Sequence, residues 1–348
     1  MWLRENHQTI NVRQMRCGMK RTMGAKVRVF VFTVVGAAVA FGAGVVQAQT
    51  PASQSPNYGW TPPTEAERCP SKWGADDRRG AANHMGTETV MRANRLIRTG
   101  QTFDLGQPLK PGMPLIGNRR WDMQITHDGR PPRPGPHSLT ETLWTAIGQV
   151  GTQLDGFGHQ MIGDSFYNCV KIAEVGNVNG IDTLGPDVFG TLMTRGVLID
   201  VAALKGVDVL GDTYAITAQD LQDALARQNL TIQPGDAVLI RTGWGQYWME
   251  DPVKYLHSSP GLRLDAEEWL VEQDPMIVSS DNCCIEVRPV GVGPLIHTFF
   301  IVVHGIVVIE NLKLDELAAA GANEFAFVVQ PLPMWGATGS TVAPTAIR

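Results

Sequence analysis

The sequence predicts an α/β domain in which short buried strands alternate with amphipathic helices, and three observations lead to that class. Gly196 to Val201 (GVLIDV) is a β-branched run with the apolar continuity of a strand covered on both faces. Thr217 stands at the N-cap of a helix: Ile216 and Leu221 occupy staple positions, and Leu221, Ala224 and Leu225 form an apolar stripe. Gln233-Pro234-Gly235-Asp236 then turns the chain into a second strand, Ala237 to Thr242. Hydrophobic side chains make up 43% of the 348 residues and charged ones 18%, with 37 Gly and 22 Pro, a composition that builds a large, turn-rich core and excludes disorder for the bulk of the chain.

At the N-terminus, basic residues end at Arg28, an uncharged, mostly apolar stretch begins at Val29, and Val46-Gln47-Ala48 closes it with short side chains where a signal peptidase inspects. Residues 1–48 therefore read as an export signal cleaved after Ala48. The rival is a membrane anchor over Val29 to Ala48, which the dominance of Ala, Gly and Val opposes. A Gln/Ser/Pro-rich linker occupies 49–64, and 65–348 reads as one domain without internal repeats. The expected location is periplasmic or secreted, with no stable membrane insertion after cleavage.

Residues 1–48 hold seven Lys/Arg and a single acid, Glu5, so their removal takes the formal net charge from -5 to -11. A body that acidic repels phosphate backbones, which excludes nucleic acid and leaves a small-molecule substrate as the expected partner. Cys69, Cys169, Cys283 and Cys284 remain after cleavage and fit no zinc template. They read as buried free thiols, with one bridge from Cys69 to another part of the body as the alternative.

Later elements follow the same alternation. Asp265 opens a helix with Glu268 at the capping-box position, Met276 to Val278 is strand-like, Leu314 to Ala320 is a helix closed by Gly321, and Phe325 to Val329 is a buried strand. Residues 299–303 (FFIVV) read as strand by composition. The Pro/Gly-rich stretch Asp128 to Pro136 is a long loop of the kind that serves as a lid or an oligomer arm, and Asp122, His127 and His137 around it are candidates for substrate contact. Trp244, Tyr247 and Trp248 read as core or interface packing.

The chemistry concentrates in Gln149-Val150-Gly151-Thr152-Gln153-Leu154-Asp155-Gly156-Phe157-Gly158-His159. In extended backbone Gln149, Gln153 and Asp155 share one side and converge, while glycines allow tight turns. His159 is suited to moving a proton near neutral pH, and Glu310 ends the apolar run Gly305 to Ile309, where a buried carboxylate demands a partner, either a metal or a structural arginine.

This run resembles the cyclase family of metal-dependent hydrolases, which includes kynurenine formamidase and isatin hydrolase. The family signature H-x-G-T-H-x-D-x-x-x-H reads Q-V-G-T-Q-L-D-G-F-G-H here, and Trp73 to Asp77, GVLIDVAALKGVDVL, PGDAVLIRTGW, His297 to Glu310 and Gly336 to Ser340 resemble family stretches in order. The resemblance implies a swivelling β/β/α fold, a mixed β-barrel-like sheet with packed helices, assembled as a homodimer or homotetramer. It implies a metal site of Gln149, Gln153, Asp155, His297 and Glu310, with His159 and Glu310 catalytic and His304 a lesser candidate in the same stretch. It makes residues 299–303 a helix, against their composition.

Gln149 and Gln153 stand where the family has histidines. Amide and carboxylate oxygens form a harder donor set, so the expected cofactor is one divalent metal, with Mn preferred over Zn or Mg. The expected activity is hydrolysis of a small amide, imide or lactone. The alternatives are a catalytically silent small-molecule binding protein on the same fold and a metal-dependent lyase or dehydratase. A serine elbow, a dinucleotide fingerprint and a Walker loop are absent from the sequence, Gly291-Val292-Gly293 being followed by Pro294. N-terminal sequencing of protein from the native host should find Gln49 as the first residue; an intact chain held in the membrane fraction would contradict the cleavage.

Overall fold

The computed structural model describes residues 60–127, 134–135, 138–288 and 295–348. The signal segment, the linker up to residue 59, His137, Gly291 to Gly293 and the side chain of His127 lie outside the described residues. Within them no helix is long and apolar enough to cross a membrane.

The strands are β1 (Thr102–Asp104), β2 (Trp121–His127), β3 (Leu139–Thr145), β4 (Gln153–Asp155), β5 (Leu192–Asp200), β6 (Ala237–Arg241), β7 (Ile277–Ser280), β8 (Val307–Glu310), β9 (Glu324–Val329), β10 (Gly339–Thr341) and β11 (Thr345–Ile347). Nine form one mixed sheet, curled like part of a barrel, in the order β1-β11-β9-β5-β6-β7-β8-β4-β10. The four central strands β5 to β8 run parallel, and the flanking strands are antiparallel. β2 and β3 make a separate hairpin on either side of the predicted Pro/Gly-rich loop, with Met123, Ile125, Leu139 and Trp144 exposed.

The central strands are apolar throughout because both faces are covered: Val197, Leu198, Ile199, Val238, Leu239, Ile277, Val278, Val307 and Val308 are fully buried. β5 starts four residues before the predicted run because Leu192 to Arg195 also pair with β9. Val201 instead opens a short helix, Val201–Lys205, capped by the Asp200 carboxylate, which accepts from the Ala203 amide at 2.8 Å.

Helix α1 (Ala218–Gln228) begins as predicted. Thr217 Oγ1 accepts from the Asp220 amide at 3.2 Å, and the Asp220 carboxylate accepts from the Thr217 amide at 3.0 Å. Helix α2 (Leu264–Glu272) corrects the predicted start: Arg263 is the N-cap, with no side-chain cap bond. Asp265 lies inside the first turn, where it accepts from Arg263 and from the Ala218 amide, tying α2 to α1. Met276 lies outside β7, Asp315–Ala319 is the helix closed by Gly321 in left-handed backbone, and the FFIVV stretch is helical. Helix α3 (Leu295–Thr298) continues as a π-helix through Phe299–His304, so composition loses to burial of Phe300, Ile301 and Val302 against the sheet. Trp244 and Trp248 pack with Tyr255 in a second apolar cluster, as expected.

The free-thiol reading is corrected for two cysteines. Cys69 and Cys169 are bonded, with Cα atoms 6.1 Å apart and a sequence separation of 100. They meet because buried Arg68 donates to Ser165 Oγ at 2.6 Å and to the Phe166 carbonyl at 3.3 Å, docking the short helix Glu65–Arg68 on the turn that carries Cys169. Replacing both by serine should lower the unfolding free energy by about 2–5 kcal/mol, since the bridge closes a long loop. Chemical denaturation of the two proteins checks it, and an unchanged midpoint would show the bridge to be energetically idle.

Candidate metal centre and active site

β4 and β8 are neighbours in the sheet, and their register builds the site. Glu310 pairs with Gln153, and Val308 with Asp155, so Gln153, Asp155 and Glu310 project from the same face in a diagonal arrangement. β10 closes the other side of β4, with Gly339 opposite Asp155. A Cβ at Gly339 would stand 2.6 Å from the Gly148 carbonyl oxygen and 2.8 Å from Gln149 Nε2, so only glycine lets this strand approach.

His297 comes from the last full turn of α3 and completes the cluster. One ligand atom from each of Asp155, His297 and Glu310 lies within 4.8 Å of the others, and all three residues are buried. His297 Nε2 is bonded to Glu310 Oε1 and stands 4.0 Å from Asp155 Oδ2. Its other ring nitrogen, Nδ1, faces Glu286 Oε2 at 2.8 Å, off the line of a hydrogen bond but close enough to act as a charge pair. A carboxylate behind Nδ1 orients the ring and directs Nε2 at the cluster.

Burial, with Glu310 alongside, pushes the Asp155 carboxyl above its ordinary range against the pull of His159 and His297. Burial also opposes ionisation of Glu310, but the paired His297 outweighs it and holds that carboxyl low. For His297 burial alone would expel the proton; Glu286 and Glu310 overcome it and hold the proton well above the ordinary histidine range.

Both glutamines reach the cluster through their amide nitrogens. Gln153 Nε2 donates to Glu310 Oε2 at 3.1 Å and to Gln149 Oε1 at 3.2 Å, and Gln149 Nε2 donates to Asp155 Oδ1 at 3.3 Å. Arg119 Nη2 donates to Gln149 Oε1 at 3.1 Å, fixing that amide's direction. Ligation through the amide oxygens would require each amide to turn over.

His159 is half-buried and lines a cavity of about 410 Å³ with Arg119, Gln153, Cys284, Glu286, His297 and Glu310, its ring 6.4 Å from that of His297. His304 is not part of it: the π-helix turns that ring against Phe299 at 4.6 Å, and burial lowers its pKa to about 4. Asp122 lies exposed on the β2–β3 hairpin, 3.6 Å from Arg120. Asp77, from the entry segment, is a structural anchor that accepts from Tyr167 at 2.7 Å and from the Gly80 amide at 2.9 Å.

The donor set fits a divalent ion. Asp155 Oδ2 is fully buried with no hydrogen-bond partner among the described residues, beside a second buried carboxylate, and two carboxylate oxygens with one imidazole nitrogen are the ligands such an ion takes.

Sequence reasoning missed Glu286, Arg119 and Asn311. Asn311 follows Glu310 with φ 60°, donates to the Gly151 carbonyl at 2.8 Å and accepts from the Tyr255 hydroxyl at 2.7 Å, while Thr152 donates to the Asn311 carbonyl at 2.6 Å. A short polar residue tolerating left-handed backbone directly after Glu310 was the available signal.

A family model described as cyclase matches residues 103–287. The chain is similar to a solved structure described as a novel cyclase, 32% identical with TM-score 0.72, over 80% of this chain and 96% of that one. It also resembles isatin hydrolase A from Ralstonia solanacearum, 21% identical with TM-score 0.52, over 71% of this chain and 92% of that one. An isatin hydrolase bound to the product analogue thioisatinate is 18% identical with TM-score 0.53, over 75% and 98%. At those two identities the likeness is one of fold. No curated protein matches.

Asn311→Ala should destabilise by about 2–4 kcal/mol, because it removes two buried hydrogen bonds and leaves an alanine in left-handed backbone. Denaturant unfolding measures it, and a loss under about 0.5 kcal/mol, the range of an inert surface change, would show that the clip between β4 and β8 carries no load.

Proposed function

Because the chain belongs to the cyclase family, we propose that it is a metal-dependent hydrolase of a small amide, imide or lactone. One observation carries the reading: Asp155, His297 and Glu310 converge within 4.8 Å, and two of them, His297 and Glu310, line a cavity together with His159. A volume of about 410 Å³ suits a small substrate.

Asp155, His297 and Glu310 would hold one divalent ion, with Gln149 and Gln153 as further oxygen ligands once their amides turn. What such an ion supplies when bound is Lewis acidity, polarising a carbonyl and easing ionisation of a water. The oxygen-rich set favours manganese over zinc or magnesium. Glu286 holds the His297 ring in line, and Arg119 fixes the Gln149 amide. His159 takes the proton of the attacking water and returns it to the departing nitrogen or oxygen as the C–N or C–O bond breaks. Glu310, paired with His297, keeps its carboxylate ionised beside the reacting water. The acting form is proposed as the domain 65–348, exported to the periplasm or beyond after loss of residues 1–48 and assembled as a homodimer or homotetramer.

A second reading, a catalytically silent binding protein, has one observation in its favour. The Gln149 and Gln153 nitrogens already satisfy Asp155 and Glu310 by hydrogen bonds. The two readings part on turnover. After exhaustive chelation a panel of small amides, imides and lactones should be inert, manganese should restore hydrolysis, and Asp155→Ala should stay inactive at every manganese concentration. His159→Ala should lose about a hundred- to ten-thousand-fold in rate at an unchanged melting temperature. Turnover that survives chelation, or an active Asp155→Ala, overturns the metal reading; binding without turnover selects the silent one.

A further inference from the structure

The loop that carries Glu286 begins with two adjacent thiols. Cys283 and Cys284 are the free cysteines among the described residues, and their sulfurs lie 3.1 Å apart. Arg288 Nη1 faces both, at 3.3 Å from Cys283 Sγ and 3.0 Å from Cys284 Sγ. Cys283 is buried in the Trp244–Trp248–Tyr255 cluster, whereas Cys284 lines the cavity with His159, His297 and Glu310. One sulfur is thus reachable from solvent and the second waits directly behind it, the layout of an attacking and a resolving thiol. The backbone here is strained, with φ 83° at Cys284 and 60° at the β-branched Ile285, and strain of this kind gathers at sites that switch.

We infer that Cys283 and Cys284 are a redox site, closed into a disulfide between adjacent residues by exchange with a disulfide oxidant such as glutathione disulfide. The Cys284 thiolate attacks one sulfur of the oxidant, forming a mixed disulfide and releasing the first thiol. Cys283 then attacks the Cys284 sulfur, the bond between the two residues forms, and the second thiol leaves. The two cysteines lose two electrons and two protons, and the oxidant gains both. The bond from Cys284 and the Arg288 guanidinium hold the Cys283 thiol below its ordinary range, whereas the Cys283 neighbour and burial push Cys284 up, so attack on the oxidant is the slow step and closure by Cys283 the fast one.

Adjacent Cα atoms are about 3.8 Å apart across a trans peptide, below the roughly 4.4–6.8 Å usual for disulfides. The bond is therefore strained and more easily reduced than Cys69–Cys169, whose Cα atoms are 6.1 Å apart, so it opens and closes reversibly. Glu286, two residues beyond Cys284, faces His297 Nδ1. Closing the ring displaces that carboxylate and weakens the cluster it orients, a consequence that rests on the metal reading above.

The test uses the exported protein lacking residues 1–48, and with them Cys17, treated with glutathione disulfide, desalted and examined by intact mass and thiol counting. Both free thiols should vanish together, with the loss of two hydrogens, no glutathione adduct, and a peptide map placing the bond between residues 283 and 284. Mild reductant should restore both thiols while Cys69–Cys169 persists. Cys283→Ser should stop at a glutathione adduct on Cys284, and Cys284→Ser should not react. A lasting adduct on the wild type, two unreacted thiols or bonds between chains would overturn the redox site. Manganese titration of the reduced and oxidised forms should show about a ten-fold or greater loss of affinity on oxidation. Equal affinities would overturn the coupling; binding by neither form would sink the metal reading alone, because the mass result decides the redox site independently.

Discussion

The structure depends on placing two carboxylates side by side out of water. Register between β4 and β8 sets Asp155 and Glu310 as diagonal neighbours on one face, both almost fully buried. Each would be costly to ionise there, and their mutual repulsion adds to the cost. Almost every unusual feature nearby answers this. His297 pairs with Glu310 and keeps its proton, Glu286 supports His297 from behind, and the amides of Gln149 and Gln153 donate to the remaining oxygens. Asp155 Oδ2 is the atom left over, and it points to where a cation belongs.

Holding that pair in place falls to groups with no chemistry of their own. Thr152 and Asn311 bond across the junction of β4 and β8, and Tyr255 anchors Asn311 from the aromatic cluster. Gly339 lets β10 close over Asp155, giving a short three-residue strand a partner on each side. A site on a strand so short keeps its geometry only because neighbouring strands and side-chain clips fix both ends of it.

Local signals explain which parts were legible in the sequence. The β5 and β6 runs, the Thr217 cap and the closing Gly321 are readable because propensity and burial agree there. Gln149, Gln153, Asp155 and His159 were readable as a group because they lie within eleven residues, but extended backbone aims only Gln153 and Asp155 one way; Gln149 reaches them from the turn before the strand, against the expectation of one extended run. The FFIVV stretch misled composition because tertiary burial, not propensity, decides its conformation. Glu286, Arg119 and the partner of Cys69, whose bridge was held open only as the alternative, were out of reach for another reason: each matters through a residue brought close only by the fold, and no pattern around it says so.

The two glutamines also give the proposed metal centre its character. A neutral histidine at either position would offer a ring lone pair to an ion without turning over, and would donate only from its other nitrogen, on the far side of the ring. An amide exchanges the two roles at one place, donating to the carboxylates through nitrogen and ligating through oxygen after turning over. Loading an ion therefore means giving up the hydrogen bonds that satisfy the carboxylates in its absence, so affinity is a difference between two well-satisfied states and is intrinsically modest. Arg119 acts on the same balance, because its bond to the Gln149 oxygen holds that amide with its nitrogen toward Asp155. A centre poised in this way responds to small displacements of its supports, and Glu286, on the loop that begins at Cys283, is the support nearest to chemistry of another kind.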